Sequence, residues 1–146
     1  MKKNALFILL LCLAAAGCAD GKESKNKAVV LAFYDLVFNR HQPEEASKMY
    51  IGNEYIQHNP YVADGAEPFY TYFAGYFKEN PESHVEIKRI AADGDLVFVH
   101  VHSKANKQDL GQAVVDIFRL DNGKIVEHWD VVQPVEKDSA NANTMF

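Results

Sequence analysis

The sequence predicts an α+β domain, with three helices placed ahead of a long antiparallel sheet. Two changes of pattern carry this prediction. Apolar residues recur at helical spacing in three segments between residues 25 and 80, and from residue 84 onward the chain turns to β-rich runs broken by Asp93-Gly94 and by Asp121-Asn122-Gly123. Helices followed by two hairpins is the order expected of one domain in which a strongly curved antiparallel sheet wraps around its helices.

The first helix is "KNKAVVLAFYDLVFNR", where Val29, Phe33, Leu36 and Val37 form one apolar face. Pro43 opens the second, "PEEASKMY", with acids in its first turn where the helix dipole favours them. "IGNEYIQHNPYVADG" then reads as an irregular segment rich in Asn, Pro and Gly, the kind of loop that often carries function. After Gly65, "AEPFYTYFAGYFKEN" repeats aromatics at Phe69, Phe73, Tyr76 and Phe77 until Pro81 stops it, and most of these rings read as core. "HVEIKRIAADGDLVFVHVHS" and "QAVVDIFRLDNGKIVEHWDVVQP" read as the two hairpins, the second closed by Pro134.

Polar residues inside these strands mark a candidate site. Alternation puts Phe98, His100 and His102 on one face and Val97, Val99 and Val101 on the other. Asp116 interrupts an apolar strand, where a carboxylate is costly unless it is paired, lines a polar cavity or sits at an exposed edge. If "DNG" is a three-residue loop, Leu120 pairs with Lys124 and Asp116 falls opposite His128; if Asn122-Gly123 is a two-residue turn, Asp116 faces Trp129. The first register is preferred. It groups Asp116 with His128 and Asp130, and the same logic around Asp109 brings His102 beside Asp116.

At the N-terminus, "MKKNALFILLLCLAAAGC" has the basic start, short apolar core and small-residue end of an export signal. Its "AAGC" junction resembles the lipobox of bacterial lipoproteins, which implies lipidation at Cys18 and a membrane anchor; an ordinary secretory signal is the alternative. Ala19, where an Asp would resemble the inner-membrane retention signal, points to the outer membrane, facing the periplasm. The expected organisation is a signal at 1–17, a polar tether at 18–27, the domain at 28–135 and a flexible tail at 136–146. No cysteine then remains in the domain for a disulfide, a thiolate nucleophile or a cysteine metal site. The formal charge of −5 and the lack of a basic run argue against a nucleic-acid partner.

"YIQHNP", the "VHVH" strand and, above all, "VVDIFRLDNGKIVEHWDVVQPV" together resemble the SnoaL-like proteins, a branch of the nuclear transport factor two-like cone fold. The resemblance covers about Lys25 to Val135 and implies a pocket between the curved sheet and the helices. It also implies metal-independent, cofactor-free chemistry of the polyketide-cyclase type, with Asp116 in the place of the acid/base aspartate and His102 in that of its histidine. On this reading Asp116 is the base, His102 or His58 polarises the substrate oxygen and His128 orients the aspartate, all acting on a small carbonyl compound in aldol-type condensation or isomerisation. Tyr55, Phe73, His100 and Trp129 are expected to form the substrate-binding wall, with Tyr55 and His58 facing His128 and Trp129. Two other classes stay open: a lipoprotein that binds an apolar molecule or a protein without catalysis, and a metal site built from His100 and His102 with His58 or His128. A homodimer through the convex sheet face is a further implication of the fold, to which the sequence adds Val115 and Ile117 as apolar positions.

Overall fold

A computed structural model describes residues 21–146 of the chain; the expected signal segment and Cys18 lie outside the described residues. The first helix, α1, is helical over residues 21–34 and runs into a π-helical turn, Asp35–Asn39. Val30, Phe33, Tyr34 and Val37 form its buried stripe, at the spacing that one face of a helix requires. Residues 21–27 are therefore helix, a correction to the expected tether. Their polarity has a structural use: Asn26 Nδ2 donates to Gly94 O at 3.2 Å and Glu23 Oε1 accepts from Gly94 N at 2.9 Å, which fastens the helix to a hairpin turn.

Helix α2, Pro43–Tyr50, starts on its proline with Glu44 and Glu45 in the first turn. It leads directly into strand β1, Ile51–Gln57, in the segment expected to be irregular. Only Ile51 and Tyr55 of this strand are buried, and its register slips between Ile51 and Ile56, so the alternation that marks a strand in sequence is missing. Helix α3, Ala66–Glu79, buries Phe69 and Phe77. Strands β2 (His84–Asp93), β3 (Leu96–Lys104), β4 (Gln112–Asp121) and β5 (Lys124–Pro134) complete a five-stranded sheet in the order β1-β5-β4-β3-β2. The sheet is mixed, because β1 runs parallel to β5.

The turn between β4 and β5 corrects the preferred register. Asn122 and Gly123 both have positive φ, 47° and 76°, the signature of a two-residue type I′ turn, and Asp121 pairs with Lys124. That turn alone would carry Asp116 to the other side of β5. A bulge then intervenes, since Leu120 pairs with Ile125 but Arg119 with Glu127. The extra residue at Val126 restores the faces, and Asp116 ends opposite Asp130 with Phe118 opposite His128.

Candidate functional site

The helices and the concave face of the sheet enclose a cavity of about 270 Å³. Phe33, Phe38, Phe69, Phe73 and Phe77 give it aromatic walls. Its polar end is built by Asp116 on β4, His128 and Asp130 on β5, Gln57 and Asn59 at and beyond the end of β1, and Tyr34 on α1. Asp116 and His128 are each only 7% exposed, so their charges must be met by protein groups rather than water.

Those groups form a chain whose protons can be assigned. Asn59 N–H donates to Gln57 Oε1 at 3.0 Å, which identifies that atom as the acceptor. His128 Nδ1 lies 2.7 Å from the same oxygen and must therefore carry a hydrogen. His128 Nε2 faces Asp116 Oδ1 at 2.8 Å, with one proton between them. Asp116 Oδ2 accepts a hydrogen bond from the Tyr34 hydroxyl. Burial, and next the charge of Asp116, push the Tyr34 phenol well above its ordinary range, so it remains a donor. Asn59 Nδ2 donates to Asp130 Oδ2 at 2.6 Å. Among the described residues, Asp116, His128 and Asp130 form the cluster of metal-ligating type, with ligand atoms within 4.8 Å of one another, but Nε2 and Oδ1 are turned toward each other by their shared proton.

The histidine pair of β3 lies elsewhere. Val99 sits opposite Asp116 and Val101 opposite Val114, so the valines share the concave face while His100 and His102 point from the convex one. The alternation in β3 was legible; which face turned inward was not, and the full burial of Val97 and Val99 decided it. His102, expected beside Asp116 as a catalytic residue, instead hydrogen-bonds Leu110 O through Nε2 at 2.8 Å. Gly111 permits this: its φ is 84°, and a Cβ there would come within 2.8 Å of His102 Nε2. His100, expected on the substrate wall, accepts from Arg89 Nη1 at 3.1 Å. A metal site combining this pair with His128 is thereby split across the sheet, and His58 stands apart from the pair, held on β5 by Trp129 and Glu127. Residues 136–146 hold no helix or strand, yet the Phe146 ring stacks on His102 with centroids 4.2 Å apart. Phe146→Ala is expected to move the His102 ring-proton NMR signals downfield as ring-current shielding is lost; unmoved signals would mean that the stack does not form in solution.

The segment of Tyr55 and His58 does meet that of His128 and Trp129, because Gln57 pairs with His128 and His58 N–H donates to His128 O at 2.9 Å. Their side chains do not meet across the cavity. His58 stacks on Trp129 with centroids 4.6 Å apart, outside the cavity lining, and binds Glu127 Oε1 at 2.9 Å. Arg119 joins Glu127 to Asp95, and its hydrogen bond is the first cause of the lowered Glu127 pKa. Tyr55 is buried beside His128, with their rings 6.5 Å apart, and lies outside the lining as well. His58 and Trp129 thus lie on the far side of the sheet from the cavity, while Tyr55 packs within the core against Phe69 and His128. Tyr34, Gln57, Asn59 and Asp130 are site residues that the sequence reading did not select. Asp130 had a signal, since it is two residues from His128 on one strand face; Tyr34, beside Phe33 in the first helix, carried none.

The family model for SnoaL-like polyketide cyclases matches residues 28–137. The chain belongs to the SnoaL-like polyketide cyclase family. Among solved structures, a protein assigned as a SnoaL-like polyketide cyclase from Jannaschia sp. CCS1 superposes with a TM-score of 0.63 at 19% identity, over 76% of this chain and 87% of that one. AclR of Streptomyces galilaeus, assigned as a hydroxylase, gives 0.62 at 21% identity over 76% and 90%. An epoxide hydrolase of M. tuberculosis, described as LEH-like, gives 0.59 at 18% identity over 77% and 85%. At these identities the likeness establishes the fold alone. No curated protein sequence matches the chain. This SnoaL-like protein therefore shares its architecture with proteins assigned different chemistries, and its own activity has to be argued from its own cavity.

Proposed function

We propose that the cavity binds a small carbonyl compound and that Asp116, held by His128 and Tyr34, performs general acid/base chemistry on it, of the aldol-condensation or isomerisation type. The observation that carries this reading is the buried Asp116–His128 hydrogen bond opening onto an aromatic-walled cavity. Asp116 retains lone pairs beyond the two already engaged, so it can take a proton from a carbon next to a carbonyl. The oxygen that becomes negative needs donors that are already in place. Asn59 lines the cavity and its second Nδ2–H has no protein acceptor among the described residues, which gives it the role first expected of His102 and His58. The proton shared by Asp116 and His128 lets the pair accept one proton and return it to another atom. The "AAGC" junction supports a lipid-anchored place at the cell envelope for this chemistry.

The test is exchange of α-protons for deuterium in a panel of ring-bearing ketones and aldehydes, followed by proton NMR with soluble protein that begins after Cys18. Exchange above the buffer rate is expected for ring-bearing members of the panel. Ketones that bind, as seen by chemical-shift perturbation, yet do not exchange would leave a binding protein of the same fold.

A further inference from the structure

The charge of the cavity can be worked out group by group. His128 has a hydrogen on Nδ1 and shares one proton with Asp116, so this pair is neutral overall whichever partner holds that proton. Tyr34 stays protonated. No lysine or arginine lines the cavity; besides His128, the lining group able to become positive is His84, which is exposed. The charge left over is that of Asp130. Its Oδ2 accepts from Asn59, and among the described residues its other oxygen takes no hydrogen bond from the protein. Asp130, which is half-buried, thus brings an acceptor with free lone pairs to the lining of a cavity walled by Phe33, Phe38, Phe69, Tyr72 and Phe73.

Aromatic faces carry the negative side of a ring quadrupole and attract cations. With an unmatched carboxylate at one end, the same walls make the cavity unfavourable for an anion, which would lose its hydration without gaining a counter-ion. A cation gains the carboxylate and each ring face that it lies against. A volume of about 270 Å³ lies just below the usual range for ligand pockets, so the molecule is compact.

We propose that the cavity selects a small organic cation, a protonated amine or quaternary ammonium on a ring-bearing body, with Asp130 as its counter-ion. This rests on the reading that the cavity is the ligand site, and it is independent of whether the bound molecule reacts. Together with that reading, it narrows the substrate class to amine-bearing carbonyl compounds.

The experiment uses three probes of one shape, phenethylamine, phenethyl alcohol and hydrocinnamate, titrated by NMR into wild type, Asp130→Asn and Asp116→Asn. In wild type the amine is expected to bind about tenfold more tightly than the alcohol, and hydrocinnamate more weakly than both. Asp130→Asn is expected to bring the amine down to the affinity of the alcohol while the alcohol is unaffected, which also shows that the variant is folded; Asp130→Ser serves if it is not. Equal affinities in wild type, no binding of any probe, tightest binding of hydrocinnamate, or an amine preference that survives in Asp130→Asn would each overturn the proposal. So would zinc alone displacing the amine from wild type but not binding Asp130→Asn, since Asp130 would then be a metal ligand. Asp116→Asn separates the two readings. Loss of α-proton exchange with the amine preference intact supports both; an intact preference in a protein that exchanges no carbonyl compound removes the catalytic reading and leaves this one standing.

Discussion

Asp116→Asn is expected to lower the rate of α-proton exchange by about a hundred- to ten-thousandfold, the range typical of removing a positioned acid/base group. The substitution suits the question because the amide can keep the contacts while losing the chemistry. Its oxygen can still accept from the Tyr34 hydroxyl, and its NH₂ can donate to His128 Nε2, with His128 Nδ1–H still on Gln57. The side chain fills the same space on β4 and leaves no buried polar atom without a partner, so the variant is expected to unfold within about 1–2 kcal/mol of wild type. What disappears is the acceptor: an amide takes no proton near neutral pH. Rate and stability together form the test. A rate within a few-fold of wild type would remove Asp116 from proton transfer and leave Asp130, the neighbouring carboxylate opposite it on β5, as the group to examine.

The same two carboxylates show where sequence reasoning was strong and where it stopped. Three helices, two hairpins and the grouping of Asp116 with His128 and Asp130 were legible, because each depends on local periodicity and on which strand positions share a parity. The partner directly opposite Asp116 was not. It depends on a two-residue turn and on a bulge at Val126, and two one-residue shifts that cancel in parity leave no mark on the alternation pattern. β1 escaped for a related reason, since a bulged strand that buries Ile51 and Tyr55 has a period of four. For His100 and His102, two histidines on one strand face looked like a site, whereas the valines between them held the stronger claim on the interior. Tyr34 shows the opposite limit. Its helical position marks it as buried, but only the fold reveals that its hydroxyl ends on a carboxylate 82 residues away.

Phe33→Ala is expected to be the most destabilising single truncation in the domain, by about 3–5 kcal/mol, against a total stability of about 5–15 kcal/mol for domains of this kind. The ring is 0% exposed and touches one aromatic ring from each part of the fold: Phe69 on α3 at 5.6 Å, Phe118 on β4 at 5.9 Å and Tyr50 on α2 at 6.4 Å between centroids. Truncation removes the contact through which α1 is held to both other helices and to the sheet. Because Phe33 also lines the cavity, the vacated volume joins an existing space and the surrounding rings have no reason to collapse inward, which favours the upper part of that range. Tyr61 supplies the control. It also lines the cavity but is 89% exposed, so Tyr61→Ala is expected to change stability by no more than about 0.5 kcal/mol. Urea denaturation of the two variants beside wild type measures both effects. A fall in midpoint with an unchanged slope for Phe33→Ala identifies the ring as the joint of the fold. A loss below about 1.5 kcal/mol would mean that α1 is held chiefly by Val30, Tyr34 and Val37, and that the wall of the cavity can be reshaped at Phe33 without endangering the domain.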